Sequence, residues 1–145
     1  MQFNATTDYA FRVALHLACN EGRVVSRREI SECNNVTTMF LQKIMAALME
    51  GGLVTSYRGA SGGFTLSRPA SEITLLDVLE AMEGKVVLNR CLADHGACSR
   101  GAAPLCAVHR RLTRVQEVFR AELAAIRLSE LAADEKMIAT ERGAG

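Results

Sequence analysis

Residues 37–66 read TTMFLQKIMAALMEGGLVTSYRGASGGFTL, and the hydrophobic period changes half-way through. In the first half Leu41, Ile44, Met45 and Leu48 recur at helical spacing, Thr37 or Thr38 can cap the helix, and Gly51-Gly52 stops it. In the second half LVTSYR and FTL are β-prone runs separated by GASGG, which predicts a hairpin with a flexible tip. The glycines do not make a phosphate-cradling P-loop, because that needs a strand running into a helix through Gly-Lys-Ser/Thr, and here strand follows strand.

Upstream, Ser26 and Glu29 have capping-box spacing and open a short helix to about Cys33, followed by a tight turn at Asn34-Asn35. Two short helices joined by a polar turn describe a helix-turn-helix, and the hairpin makes it a winged one. Before it, Ala10, Val13, Ala14, Leu17 and Ala18 predict an amphipathic helix over 6–20, capped by Thr6 or Thr7. After it, Pro69 closes the wing, and Ile73, Leu76, Val78, Leu79 and Met82 predict a helix over about 74–83.

Pro104 suits the first position of a long helix over about 104–127. Leu105, Val108, Leu112, Val115, Phe119 and Ile126 step along it at coiled-coil spacing, interrupted by Glu122. So short a chain offers this seam no obvious partner, which predicts pairing with a second copy. The expected fold is mainly α with a small β-hairpin wing: a winged helix-turn-helix over 1–83, a cysteine-bearing loop over 84–103, a dimerisation helix and a short C-terminal helix over 104–139, and a disordered tail over 140–145.

Opposite the apolar stripe of the third helix lie Met39, Gln42 and Lys43, with Thr37 and Thr38 at its start. Small and hydrogen-bonding side chains with one cation suit a helix that enters the major groove, about 12 Å wide, and reads base edges. Arg58 at the root of the wing can reach a phosphate or the minor groove, and Arg27 and Arg28 are natural phosphate contacts. The formal net charge of the 145-residue chain is only +1, which excludes a bulk polyanion binder but leaves room for a local basic surface. No Gly-x-Ser-x-Gly or His-Glu-x-x-His occurs and the carboxylates are scattered, so no catalytic residue is assigned and no enzyme is expected. Nothing in MQFNATTDYAF marks the chain for export and no apolar run is long enough for a membrane span, so a cytoplasmic protein without membrane contact is expected.

In that compartment five cysteines should stay reduced, which favours metal binding or redox sensing over disulfides. Cys91, Cys98 and Cys106 are spaced C-x6-C-x7-C, with His109 three residues on. Structural zinc usually takes a tight C-x(2-4)-C knuckle, absent here, and wider spacing wraps a larger object such as a cluster. The same cysteines also fit plain small hydrophobes in an Ala-rich loop. Cys19 and Cys33 sit on predicted helices without ligand spacing and are expected in the core.

TDYAFR, NNVTTMFLQKIMAALMEGGLVTSYRGASGGFTLSRPA, ITLLDVLEAMEG and the three-cysteine loop before a long helix resemble the Rrf-two family of bacterial winged-helix transcription regulators (IscR-, NsrR- and RirA-like), most closely its NsrR-like iron-sulfur members. The resemblance covers residues 1 to about 132. It implies a homodimeric repressor on a pseudo-palindromic double-stranded operator, with Cys91, Cys98 and Cys106 holding an iron-sulfur cluster that senses nitric oxide or iron and redox status. The fourth ligand it implies is Asp8 of the partner subunit on a 4Fe-4S cluster, the favoured reading, or His109 on a 2Fe-2S cluster. A cluster-free thiol-redox regulator, and a cysteine-based redox or metal-carrier protein, are the alternatives.

Overall fold

A computed structural model describes residues 2–144. Helix α1 (Ala5–Cys19) is capped by Asn4, not by Thr6 or Thr7: the Asn4 side chain accepts the Thr7 amide at 2.9 Å. Thr7 is buried and donates its hydroxyl to Glu83 at 2.7 Å, so it serves a long-range contact instead of a cap. Helix α2 (Arg27–Asn34) starts at Ser26, whose hydroxyl accepts the Glu29 amide. The capping box is left half-closed, because the Glu29 carboxylate turns away to Arg23 at 2.5 and 3.0 Å and to His16 at 3.3 Å. Asn35 adopts the left-handed conformation that makes the turn, and Thr37 caps helix α3 (Thr38–Glu50).

Strands β1 (Val54–Tyr57) and β2 (Gly63–Leu66) pair antiparallel, Val54 facing Leu66 and Tyr57 facing Gly63. Val25 adds a third rung by exchanging backbone hydrogen bonds with Phe64 at 2.8 and 2.9 Å. This close approach requires Gly63, since a Cβ there would lie 2.1 Å from the Val25 carbonyl oxygen. Helix α4 (Leu75–Glu83) has the complete capping box, Thr74 with Asp77.

The core is built from Val13 and Leu17 of α1, Ile30, Leu41, Ile44 and Leu48 of the helix-turn-helix, and Val78 of α4. Leu128 at the start of helix α7 (Leu128–Ala144) belongs to the same core and is fully buried. Two backbone bonds fix that corner, from Leu75 to Ile126 and from Leu128 to Ile73. Helix α7 begins near the expected position but runs on to Ala144, through the stretch 140–145 expected as a disordered tail, whose last residue lies outside the described residues. Its Ala, Glu, Lys, Leu and Met residues are good helix formers and no proline interrupts them.

Helix α6 spans Ala107–Ala125, three residues later than the start expected at Pro104, with Cys106 as its N-cap. The expected seam divides between two faces. Leu112, Phe119 and Ile126 are half-buried, and Arg120 pairs with Glu80 of α4, while Val108 and Val115 stay exposed. Leu105, which precedes the helix, is 89% exposed. Cys19 packs half-buried against the core, and burial raises its thiol pKa. Cys33, expected in the core, is exposed: it follows Glu32 on the outer side of a two-turn helix that buries only Ile30.

Hydrogen bonding from Arg23, then from His16, pulls the Glu29 carboxyl down to about 2. A carboxyl lowered in the folded state stabilises above its ordinary pKa, and the contribution is lost as pH falls towards the folded value. Glu29→Gln should therefore lower the thermal midpoint at pH 7, and the gap to wild type should close between pH 4.5 and about 2. Thermal scans across that range check this, and a gap independent of pH would refute it.

Candidate DNA interface and cysteine loop

On α3, burial of Leu41, Ile44, Met45 and Leu48 turns Thr38, Met39, Gln42, Lys43 and Ala46 outward, and Met39 is 74% exposed. Between this face and the wing runs a groove of about 520 Å³, lined among others by Arg27, Gln42, Ala46, Tyr57 and Arg58 and by no carboxylate. Of the residues expected to contact DNA, the groove gathers Arg27, Gln42 and Arg58. Thr38, Met39 and Lys43 share the outer face of α3, and exposed Thr37 spends its hydroxyl on the Phe40 amide.

The guanidinium of Arg27 lies 5.6 Å from the centre of the Phe64 ring, which holds its stem against the wing. Arg28 is different. Glu32 accepts from it at 2.7 Å and neutralises it on the open surface, away from the groove lining. The sequence reading missed Tyr57, half-exposed in the groove with a phenol that can donate to a phosphate. The available signal was an aromatic residue in a strand otherwise polar on its exposed side.

The second site is the loop ahead of α6. A short helix α5 (Arg90–Ala93) carries Cys91, a 3-10 turn over His95–Ala97 ends at Cys98, and Cys106 opens α6. All three cysteines and His109 line one cavity of about 430 Å³. The backbone amides of Ala102 and Arg100, then those of Ala103 and Gly101, hydrogen-bond the Cys98 sulfur and lower its pKa, favouring thiolate. Gly101 makes that fold-back with a positive φ of 59°. Cys106 makes no side-chain capping bond, so its sulfur remains free.

His109 is 7% exposed, and its Nδ1 is buried without a hydrogen-bond partner among the described residues. The exposed His95 packs edge-on against it, ring centres 5.1 Å apart. Among the described residues no three His, Cys, Asp or Glu groups converge closely enough for a single metal ion. Asp8 lies outside this cavity. Its half-exposed carboxylate accepts from Arg12 at 2.5 Å.

The family description "Iron-dependent Transcriptional regulator" (Rrf2) matches residues 3–134. The chain belongs to the Rrf2 family. It is a DNA-binding transcription regulator and not an enzyme. Protein aau3 of Rhizobium meliloti is 38% identical over 91 residues, 63% of this chain and 59% of that protein, so the match spans under two thirds of that relative. A helix-turn-helix-type regulator of Aquifex aeolicus is 32% identical over 83% of this Rrf2 chain and 86% of its own length. Among solved structures, CymR, the global cysteine regulator of B. subtilis, superimposes with a TM-score of 0.69 at 27% identity, covering 92% of this chain and 97% of CymR. No helix among the described residues is long and apolar enough to cross a membrane.

Two arginines outside the fold core separate the groove from the open surface. Arg58→Ala should weaken binding to a random duplex and reduce the slope of log affinity against log salt by about 1, the loss of one phosphate contact. Arg28→Ala should leave that slope nearly unchanged, because Glu32 already neutralises the guanidinium. Anisotropy titrations over a salt series measure both, and equal slopes for the two variants would contradict the placement.

Proposed function

We propose that this Rrf2 chain is a homodimeric repressor whose operator affinity is set by an iron-sulfur cluster held by Cys91, Cys98 and Cys106, with nitric oxide or iron and redox status as the signal. One observation carries the reading: Cys91, Cys98, Cys106 and His109 line a common cavity at the start of α6, and the His109 Nδ1 is buried without a partner among the described residues. The donor chemistry fits the group. Soft thiolates suit iron-sulfur clusters, and the three cysteines line one cavity of about 430 Å³. When bound, the cluster supplies iron that nitric oxide and oxidants attack.

Two residues compete as fourth donor. Asp8 of the partner subunit follows from the resemblance to NsrR-like members and suits a 4Fe-4S cluster, its carboxylate being a hard, weak ligand among thiolates. His109 is supported inside the chain, since it lines the cavity and its buried Nδ1 has no partner among the described residues, and it would suit a 2Fe-2S cluster. The chain's own residues tie this cavity to the DNA-reading half. The strap before Cys91 is held by the Val86 amide donating to Glu80 and the Leu88 amide donating to Gln116, so the loop is anchored to both α4 and α6.

A second reading has its own observation. Likeness to a cysteine regulator and the lowered pKa of Cys98 favour a thiol switch without a cluster. Purification without oxygen, followed by visible spectra and iron and sulfide analysis, separates the two. The cluster reading expects bound iron and sulfide, lost in Cys98→Ser together with control of DNA binding. It expects altered absorption in whichever of Asp8→Ala or His109→Ala removes the fourth donor, with the dimer intact. A protein free of iron and sulfide after reconstitution, yet releasing DNA on thiol oxidation, establishes the thiol switch instead.

A further inference from the structure

The residues that open α3 divide between two sides of the helix. Phe40 packs against Tyr9 of α1, ring centres 5.8 Å apart, and Leu41 is fully buried, which leaves Thr38 and Met39 exposed. The turn that aims this end of the helix is pinned. The Val36 amide donates to the Ser31 carbonyl at 3.0 Å, the Ser31 hydroxyl donates to the Val36 carbonyl at 2.5 Å, and the Val36 side chain is buried. Met39 therefore stands on a fixed backbone position, and it is 74% exposed.

A single exposed methionine is ordinary on a protein surface. Its place on the helix is what gives it meaning, because the first residues of a reading helix are those that meet base edges. A thioether has no proton to donate and is only a weak acceptor, so Met39 cannot do what Gln42 and Lys43 can do one turn further on. The major groove displays one methyl group, on C5 of thymine, beside an array of donors and acceptors. Set against a guanine, cytosine or adenine edge, the methionine would strip water from polar atoms without replacing their hydrogen bonds. Set against a thymine methyl, it buries one apolar group on another. Its unbranched, flexible side chain can find that methyl without a shift of the helix.

We infer that Met39 is a specificity-determining residue, which reads the C5-methyl of a thymine in each half-site at the base pair facing the first turn of α3. The inference rests on α3 being the reading helix, and it deepens that reading by naming a base the helix selects. Selection acts in both directions, through a gain at the methyl and a penalty at the polar edges of other bases. The contact is to a methyl group and not to a hydrogen-bonding atom. It therefore distinguishes thymine from uracil, which differ in nothing else.

Selection from a random duplex library by the full chain, purified without oxygen and also after oxidation, supplies the site for the test. Each thymine in it is then replaced in turn by deoxyuridine, and anisotropy gives the affinity of wild type, Met39→Ala and Met39→Leu. With wild type, one thymine per half-site should show a uracil penalty on the order of fourfold, the value of one buried methyl group. Met39→Ala should abolish the penalty at that position and keep any others, and Met39→Leu should retain part of it. A site without a methyl-sensitive thymine, a library in which no sequence is enriched, or a penalty that Met39→Ala leaves unchanged overturns the inference. Ala46→Glu tests the placement of α3 on which it rests. Position 46 is exposed in the groove lining and glutamate is a good helix former, so the new charge meets the DNA without unfolding the chain. Binding should weaken on the order of tenfold or more. An Ala46→Glu variant that binds as tightly as wild type takes α3 out of the groove, and the methionine contact with it. Weakened binding in Ala46→Glu beside a uracil response that ignores Met39 overturns the methionine contact alone.

Discussion

Two carboxylates one turn apart on α4 hold the molecule's halves together. Glu83 accepts the Asn4 amide at 3.3 Å and the Thr7 hydroxyl at 2.7 Å, which fixes the start of α1. Glu80 pairs with Arg120 of α6 and accepts the Val86 amide at 3.2 Å, which fixes the strap leading to Cys91. The opposite side of α4 packs against α1 and α3, with Val78 fully buried. Reading helix, first helix, cysteine loop and long helix therefore all take their positions from one nine-residue element. A hydrogen bond of this kind contributes only about 0.5–1.5 kcal/mol net, so the hub derives its stiffness from several such bonds set on a buried apolar face.

The winged helix was legible because its signals are local. The shift from helical to alternating period, the glycine pair after α3 and the turn residues at Asn34-Asn35 each act within a few positions, and no distant contact overrides them. The misjudged points depended on partners far away in sequence. Thr7 reads as a cap until Glu83, seventy-six residues on, claims its hydroxyl. Gly63 reads as loop flexibility until the Val25 carbonyl fills the place of its Cβ. The seam of α6 was misread for another reason: counting only apolar residues merged the face packed on α4 with the face left open.

The two sites were legible to different degrees. Residue type and helical phase were enough to turn the outer face of α3 towards the groove, but not to foresee that Glu32 would take Arg28 out of it or that Tyr57 would enter it. For the cysteine loop, spacing suggested a shared object, and in the fold the three cysteines line one cavity. The lowered pKa of the Cys98 thiol was invisible beforehand, since its cause is the backbone path through Ala102, Arg100, Ala103 and Gly101, whose side chains carry no such information.

These positions bear on how a loop can govern DNA affinity. A dimeric winged helix gains specificity by seating two reading helices in half-sites about 34 Å apart, and specific binding exceeds non-specific binding by roughly 10³–10⁷. Losing the fit at one half-site forfeits much of that margin, so control needs a change in the relation between subunits and no unfolding of either. The strap leading to Cys91 is hydrogen-bonded to Glu80 of α4, and the head of α4 at residues 73–75 is hydrogen-bonded to 126–128 at the end of α6. Because α4 also packs on α3, a displacement at the loop reaches the reading helix of the same chain through a single packed element. The rigidity that makes α4 a hub within each chain is thus what lets an event at Cys91, Cys98 or Cys106 be felt at the DNA.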